Sequence, residues 1–159
     1  MNRLEQSRRT RHPRGFTMIE LTLVIAILPL MVASLIGVSN FTASNLDRAA
    51  RRLESDLRYC QQLAMAEEVN CGFRVNTVTQ YQVYRQNLGN LVVDPYTRQG
   101  MQIDLPTNYQ GVLFNANNYQ VEFNRFGQPV IGSGTPIIIG MTGQTKSVTV
   151  NSTGYVQIQ

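Results

Sequence analysis

The spacing of apolar residues changes character twice along the chain. After a polar, arginine-rich stretch over residues 1–15, residues 16–38 are almost wholly apolar, and beyond them apolar positions become periodic. Leu46, Ala49, Ala50, Leu53, Leu57, Cys60 and Ala64 recur at three- and four-residue steps, the stripe of a helix with one buried face. No start signal separates this stripe from the apolar run. One long helix is therefore expected from about Phe16 to Glu68, ended by Asn70 and Gly72. On its wet side Asp47 stands four residues before Arg51, and Glu54 four before Arg58, the spacing of acidic-to-basic pairs on a solvated face.

From Cys71 the pattern shifts to alternation. Strands are expected at 73–78, 81–85, 90–93, 101–105, 111–115, 120–123, 137–140, 146–151 and 155–158. Turn-forming residues separate them, among them Asp94-Pro95, Asn117-Asn118, Phe126-Gly127 and Ser152 to Gly154. Short antiparallel strands after a long helix predict an α+β domain, the helix lying across the sheets with its amphipathic half. The expected division is 1–15, a basic stretch ahead of the apolar run; 16–38, a transmembrane helix half; and 39–159, a folded domain. Within that domain, 39–70 is amphipathic helix and 71–159 the β region.

The apolar run admits three readings: a secretory signal, a plain signal anchor, or the leader and anchor of an assembling subunit. A secretory signal is cut after an apolar region of about 7–15 residues. At about 1.5 Å per residue, residues 16–38 reach roughly 35 Å, enough for a hydrocarbon core of about 30 Å. The arginines before the run would hold that end in the cytoplasm and send the remainder outward. Two residues do not suit a plain anchor. Glu20 places a carboxylate inside the run, at a cost of about 2.5–3.5 kcal/mol at a membrane's centre and less toward its edge. Pro29 removes a backbone donor mid-run and costs about 3 kcal/mol in a helix interior.

Arg14-Gly15-Phe16-Thr17-Met18-Ile19-Glu20-Leu21 resembles the processing site of type IV prepilins and type II secretion pseudopilins. The resemblance implies that Gly15 is the last leader residue and Phe16 the N-methylated terminus of the mature chain. It makes Glu20 the acidic residue that sets assembly register. It implies as partners a prepilin peptidase/methyltransferase, other pilin or pseudopilin subunits and the inner membrane. The localisation implied is a single-pass protein with a cytoplasmic N-terminus and a periplasmic domain, entering a pilus or pseudopilus. The family commonly carries glycine where Pro29 stands and proline where Gly37 stands. The exchange here moves the expected helix break to Ile25–Pro29.

Two later stretches resemble the GspH/FimT group of minor pseudopilins: Val121-Glu122-Phe123-Asn124-Arg125-Phe126-Gly127-Gln128-Pro129 and Val148-Thr149-Val150-Asn151-Ser152-Thr153-Gly154. In both, an apolar strand enters a polar turn containing glycine. Some FimT-like proteins bind DNA for uptake through arginines directly after the glycine near the C-terminus. Here Tyr155, Val156 and Gln157 follow Gly154, so nucleic acid is not expected as a partner. A DNA-capturing minor pilin and a plain membrane-anchored periplasmic protein are the alternative readings.

Charge supports that expectation. The formal net charge is +4, and residues 1–15 alone carry five arginines against one glutamate. Without the leader the chain is neutral, which removes the electrostatic term behind non-specific phosphate binding. The sole histidine, His12, lies in the leader, so histidine-based acid–base or nucleophile chemistry is excluded from the mature chain. No phosphate loop or zinc spacing occurs, so no enzyme, cofactor or metal is expected. Glu67 and Glu68 are expected to be solvated. Cys60 and Cys71 are the only cysteines. In an exported domain such a pair points to a disulfide, the alternative being two small buried side chains that never meet.

Overall fold

The computed structural model describes residues 17–95 and 97–159, without the side chains of 30–43. Gly15 and Phe16 thus lie outside the described residues. The chain divides into two compact units, Met1–Val38 and Ser39–Gln159, each described by itself. Helix α1, Met18–Glu67, contributes to both and is assigned without interruption through Pro29. The break expected at 25–29 therefore does not divide the element. Among the described residues no helix is long and apolar enough to cross a membrane. Phe16 and the side chains of residues 30–38, which belong to the expected span, are outside that set.

In the second unit, two antiparallel sheets follow the helix. The first holds β1 (Cys71–Val75), β2 (Gln80–Arg85), β3 (Gln102–Asp104), β5 (Gln120–Phe123) and β6 (Pro129–Ile131), in the order β3-β2-β1-β5-β6. The second holds β4 (Leu113–Phe114), β7 (Ile137–Met141), β8 (Gln144–Val150) and β9 (Val156–Ile158), in the order β4-β7-β8-β9. A one-turn helix, α2 (Leu105–Asn108), follows β3. The expected α+β class is the observed one.

All seven residues of the helical stripe are buried, from Leu46 to Ala64. They form one cluster with Phe73, Tyr81, Val83, Val121 and Phe123 of the first sheet and Phe114, Ile137, Ile139, Val148 and Val150 of the second. Period-two alternation brings those strand residues to one face. Each buried Leu, Ile or Phe removes apolar area worth about 1.5–3 kcal/mol. Ala49, Ala50 and Ala64 have no exposed surface.

Several boundaries differ from expectation for local reasons. The helix stops at Glu67 because Glu68 turns left-handed, with φ 57°. Gly72 does not end the helix; it lies in β1, where the Tyr84 ring occupies the space a Cβ would take. Residues 90–93 make only two isolated bridges, Tyr84↔Leu91 and Val93↔Gly100, instead of a strand. The segment is cut short where the Asp94 carboxylate accepts the Thr97 backbone N–H in the following turn. The expected strand 101–105 ends early because Asp104 caps α2, accepting from Thr107 N at 3.1 Å, with proline in the first turn. Strand β6 was not expected. It begins with a proline at the edge of its sheet, where a missing ladder donor is tolerated.

The charged side chains are also more engaged than expected. Glu54 pairs with Arg58 at 2.7 Å, as its spacing suggested. Asp47 instead meets Lys146 of β8, whose hydrogen bond and charge hold its carboxyl below the usual range. Glu67 takes two bonds from Arg85, at 2.8 and 2.9 Å. Within the core, Arg52 Nε donates to Asp56 Oδ2 at 3.0 Å, and the Tyr81 hydroxyl donates to the same oxygen at 2.5 Å. Arg52 also reaches Asp94 at 3.5 Å. Burial lifts the Asp56 carboxyl above its ordinary range, opposed by the Tyr81 hydroxyl and Arg52.

A raised folded-state value has a defined sign. The Asp56 contribution to stability is fully present below the unfolded carboxylate value and is lost as pH rises through the folded one. Tyr81→Phe removes a donor that opposes the rise. We expect it to lower stability by about 1–3 kcal/mol and to move the Asp56 titration upward. Denaturant unfolding and carboxyl-carbon NMR measure the two effects; an unmoved Asp56 midpoint contradicts the assignment.

Candidate assembly interface

The amino end of α1 is built from a short sequence signal. Thr17 precedes the first helical residue, and its hydroxyl accepts the Glu20 backbone N–H at 3.3 Å, an N-cap bond. Glu20 sits in the first helical turn, where a negative charge is favoured by the helix dipole. Its carboxylate has no hydrogen bond or ion pair to another described residue. The Thr22 hydroxyl donates back to the carbonyls of Met18 and Ile19, at 3.1 and 2.9 Å, so that polar group is satisfied within the helix.

Met18, Ile19, Leu21, Leu23, Val24, Ile25, Ile27 and Leu28 are all exposed. Consecutive residues on a helix point around its whole circumference, so this segment presents apolar side chains in every direction. Such a surface is unfavourable in water. Pro29 is exposed on the same segment.

In the folded unit, the two stretches singled out by sequence meet. Asn124 Oδ1 accepts from Phe126 N at 2.9 Å and Gln128 N at 3.0 Å, closing the first turn. Asn151 Oδ1 accepts from Thr153 N at 3.0 Å and Tyr155 N at 2.8 Å, closing the second. Gln61 of α1 donates to the Gly127 carbonyl at 2.7 Å. Gly154 has φ +87°, and a Cβ there would overlap both that carbonyl and the Gln61 amide. The helix and the two turns thus converge on one point. Phe126 and Tyr155, on those turns, remain exposed at 66% and 59%, with the Arg125 guanidinium 4.9 Å from the Phe126 ring centre. Sequence reasoning found both turns but not their contact, for which Gln61 in the helix gave no signal.

A polar group also lies on the first sheet. The Tyr84 hydroxyl donates to Glu122 at 3.0 Å and accepts from Gln120 at 2.8 Å, while Asn70 donates to the other Glu122 oxygen at 2.9 Å. Burial, reinforced by Glu122, pushes the Tyr84 phenol up to about 12. Cys60 and Cys71 are both fully buried thiols with their Sγ atoms 2.7 Å apart. No set of three or more potential ligands that could hold a metal occurs among the described residues.

No protein-family model and no curated protein matches the chain. Solved structures do. The type IV minor pilin FimU of Pseudomonas aeruginosa superposes with a TM-score of 0.54 at 12% identity, over 74% of this chain and 90% of that one. The minor pseudopilin EpsH from the type 2 secretion system of Vibrio cholerae gives 0.54 at 14% identity, over 72% of this chain and 96% of that one. The fold is that of a minor pilin. At this identity the likeness concerns architecture: a helix, then two antiparallel sheets sharing one core.

The junction at Gly154 yields a comparison. Gly143 also has positive φ, +80°, but a Cβ there meets nothing within 4 Å. We expect Gly143→Ala to cost about 1–2 kcal/mol from backbone strain alone and Gly154→Ala to cost more, because collision adds to strain. Denaturant midpoints of the two variants decide. Equal losses contradict the packing of the two turns on Gln61.

Proposed function

We propose that the chain is a structural subunit, a minor pseudopilin or minor pilin, processed after Gly15 and assembled through its N-terminal helix. One observation carries the reading. The Gly15-Phe16 and Glu20 signature leads into a helix with apolar side chains all around, and that helix enters a pilin-like domain. The proposed partners are a prepilin peptidase, neighbouring pilin-type subunits and the inner membrane, with the folded domain on the periplasmic side.

The physical account begins with cleavage. Cutting before the apolar segment keeps the anchor and creates a new α-amino group at Phe16, which stays cationic after methylation. The Glu20 carboxylate, without a partner in its own described chain, accepts the Phe16 amine of a neighbouring subunit. An unpaired carboxylate in a low-dielectric bundle is costly, so pairing favours one axial stagger between subunits. Glu20 then sets register and takes no part in catalysis. The unbroken run of α1 through Pro29 suits a subunit held by a single helix.

Two substitutions separate processing from assembly. Gly15→Leu leaves full-length precursor in the membrane, read by mass spectrometry of the N-terminus; normal trimming would falsify the processing site. Glu20→Val is still trimmed and inserted but enters filaments at least about tenfold less, the factor for about 1.4 kcal/mol of lost pairing. Wild-type incorporation in sheared filament fractions removes the register role.

A further inference from the structure

We propose that Cys60 and Cys71 form an intramolecular disulfide that is made while the core is still open and sealed once it closes. Cys60 lies on the buried stripe of α1, and Cys71 is the first residue of β1. Between them the chain leaves the helix, turns left-handed at Glu68 and enters the sheet. The fold returns the two sulfurs to 2.7 Å, with no exposed surface on either residue. At that separation the two side chains stand in contact.

Placement decides the chemistry. Cys71 pairs with Arg85 on one side and Phe123 on the other, so it sits in the middle of the five-stranded sheet. The stripe of α1 covers it. Both thiols are closed off from solvent, and burial, with the neighbouring Cys71 thiol second, pushes the Cys60 thiol well above its ordinary value, so little Cys60 thiolate forms in the folded chain. An oxidant therefore acts before the helix docks.

The exchange balances with a disulfide donor, either a dithiol–disulfide oxidoreductase or oxidised glutathione. One cysteine thiolate attacks a donor sulfur, forming a mixed disulfide and expelling one donor thiolate. The second cysteine thiolate attacks its partner's sulfur, forming the Cys60–Cys71 bond and expelling the other donor sulfur. The pair loses two electrons and two protons, and the donor becomes two thiols. In the cell the supply of that oxidant rests on the proposed periplasmic placement of the domain.

The test uses the full chain in detergent. Denatured, reduced protein is refolded with a glutathione redox buffer, acid-quenched, alkylated in denaturant and mapped by mass spectrometry. The expected product is a peptide linking Cys60 to Cys71. Free or glutathione-capped thiols in refolded protein overturn the pairing. In a second arm, protein folded under reducing conditions is given oxidised glutathione without denaturant. Bond formation should slow by about a hundredfold or more relative to refolding, because exposure then requires opening of the core. Equal rates overturn the sealing. Linked peptide after refolding, but free thiols in protein taken directly from cells, supports the pair and counts against the periplasmic placement.

Discussion

The buried stripe of α1 is the constraint on which the folded unit depends. A five-stranded and a four-stranded sheet each carry one apolar face, and neither can leave that face in water. Both supply residues to the cluster that Leu46, Leu53 and Leu57 occupy. The stripe mixes leucines with the small side chains of Ala49, Ala50, Cys60 and Ala64, all without exposed surface. Enlarging one of these alanines would force off-rotamer packing, at about 1–3 kcal/mol.

Polar groups fix the helix against that apolar surface. A helix held by hydrophobic contact alone has several nearly equivalent rotations. Tyr81 in β2 and Arg52 on the helix share one oxygen of Asp56, and Gln61, nine residues farther along, binds the Gly127 carbonyl. The Tyr81–Asp56 and Gln61–Gly127 bonds, which join the helix to the rest of the unit, hold it at one rotation and one axial position. A buried donor or acceptor left without its partner costs about 1–3 kcal/mol, which is what makes misplacement unfavourable. The stability from burial and the specificity from polar pairing therefore reside on the same helix.

How much of this could be read in the sequence follows from the range of each interaction. The stripe was legible because helical periodicity is local, and each of its residues is buried as expected. The strand and helix pattern gave the fold class for the same reason. Long-range pairing left no local mark. Asp47 stands at the right spacing from Arg51, yet Lys146 of β8 takes it. Asp56 lies four residues after Arg52 and could pass for one more surface pair; its burial depends on Tyr81, twenty-five positions away. Local signals also competed. The Asp104-Leu105-Pro106-Thr107 cap competes with the alternation through Ile103, which by itself predicts a longer strand. The glycine turns at 127 and 154 were recognised, but their meeting at Gln61 required the fold.

The two ends of α1 show how one secondary structure can answer to different surroundings. From Leu46 to Ala64 the apolar residues keep to one face, and charged side chains such as Arg58 and Glu54 occupy another. From Met18 to Leu28 apolar residues cover every face, and the polar exceptions are handled individually. The Thr22 hydroxyl is returned to the backbone of its own helix. Among the described residues Glu20 has no such local partner for its carboxylate, and it is the one ionisable side chain between Met18 and Leu28. The threonine is thus satisfied within the helix, whereas the acid, among the described residues, is not. Water would make the apolar faces unfavourable, whereas lipid or a helical bundle would make the carboxylate unfavourable. Only an apolar surrounding that also brings a cation to the first turn would satisfy both, which is the condition that the proposed pairing with a neighbouring subunit's Phe16 amine would meet.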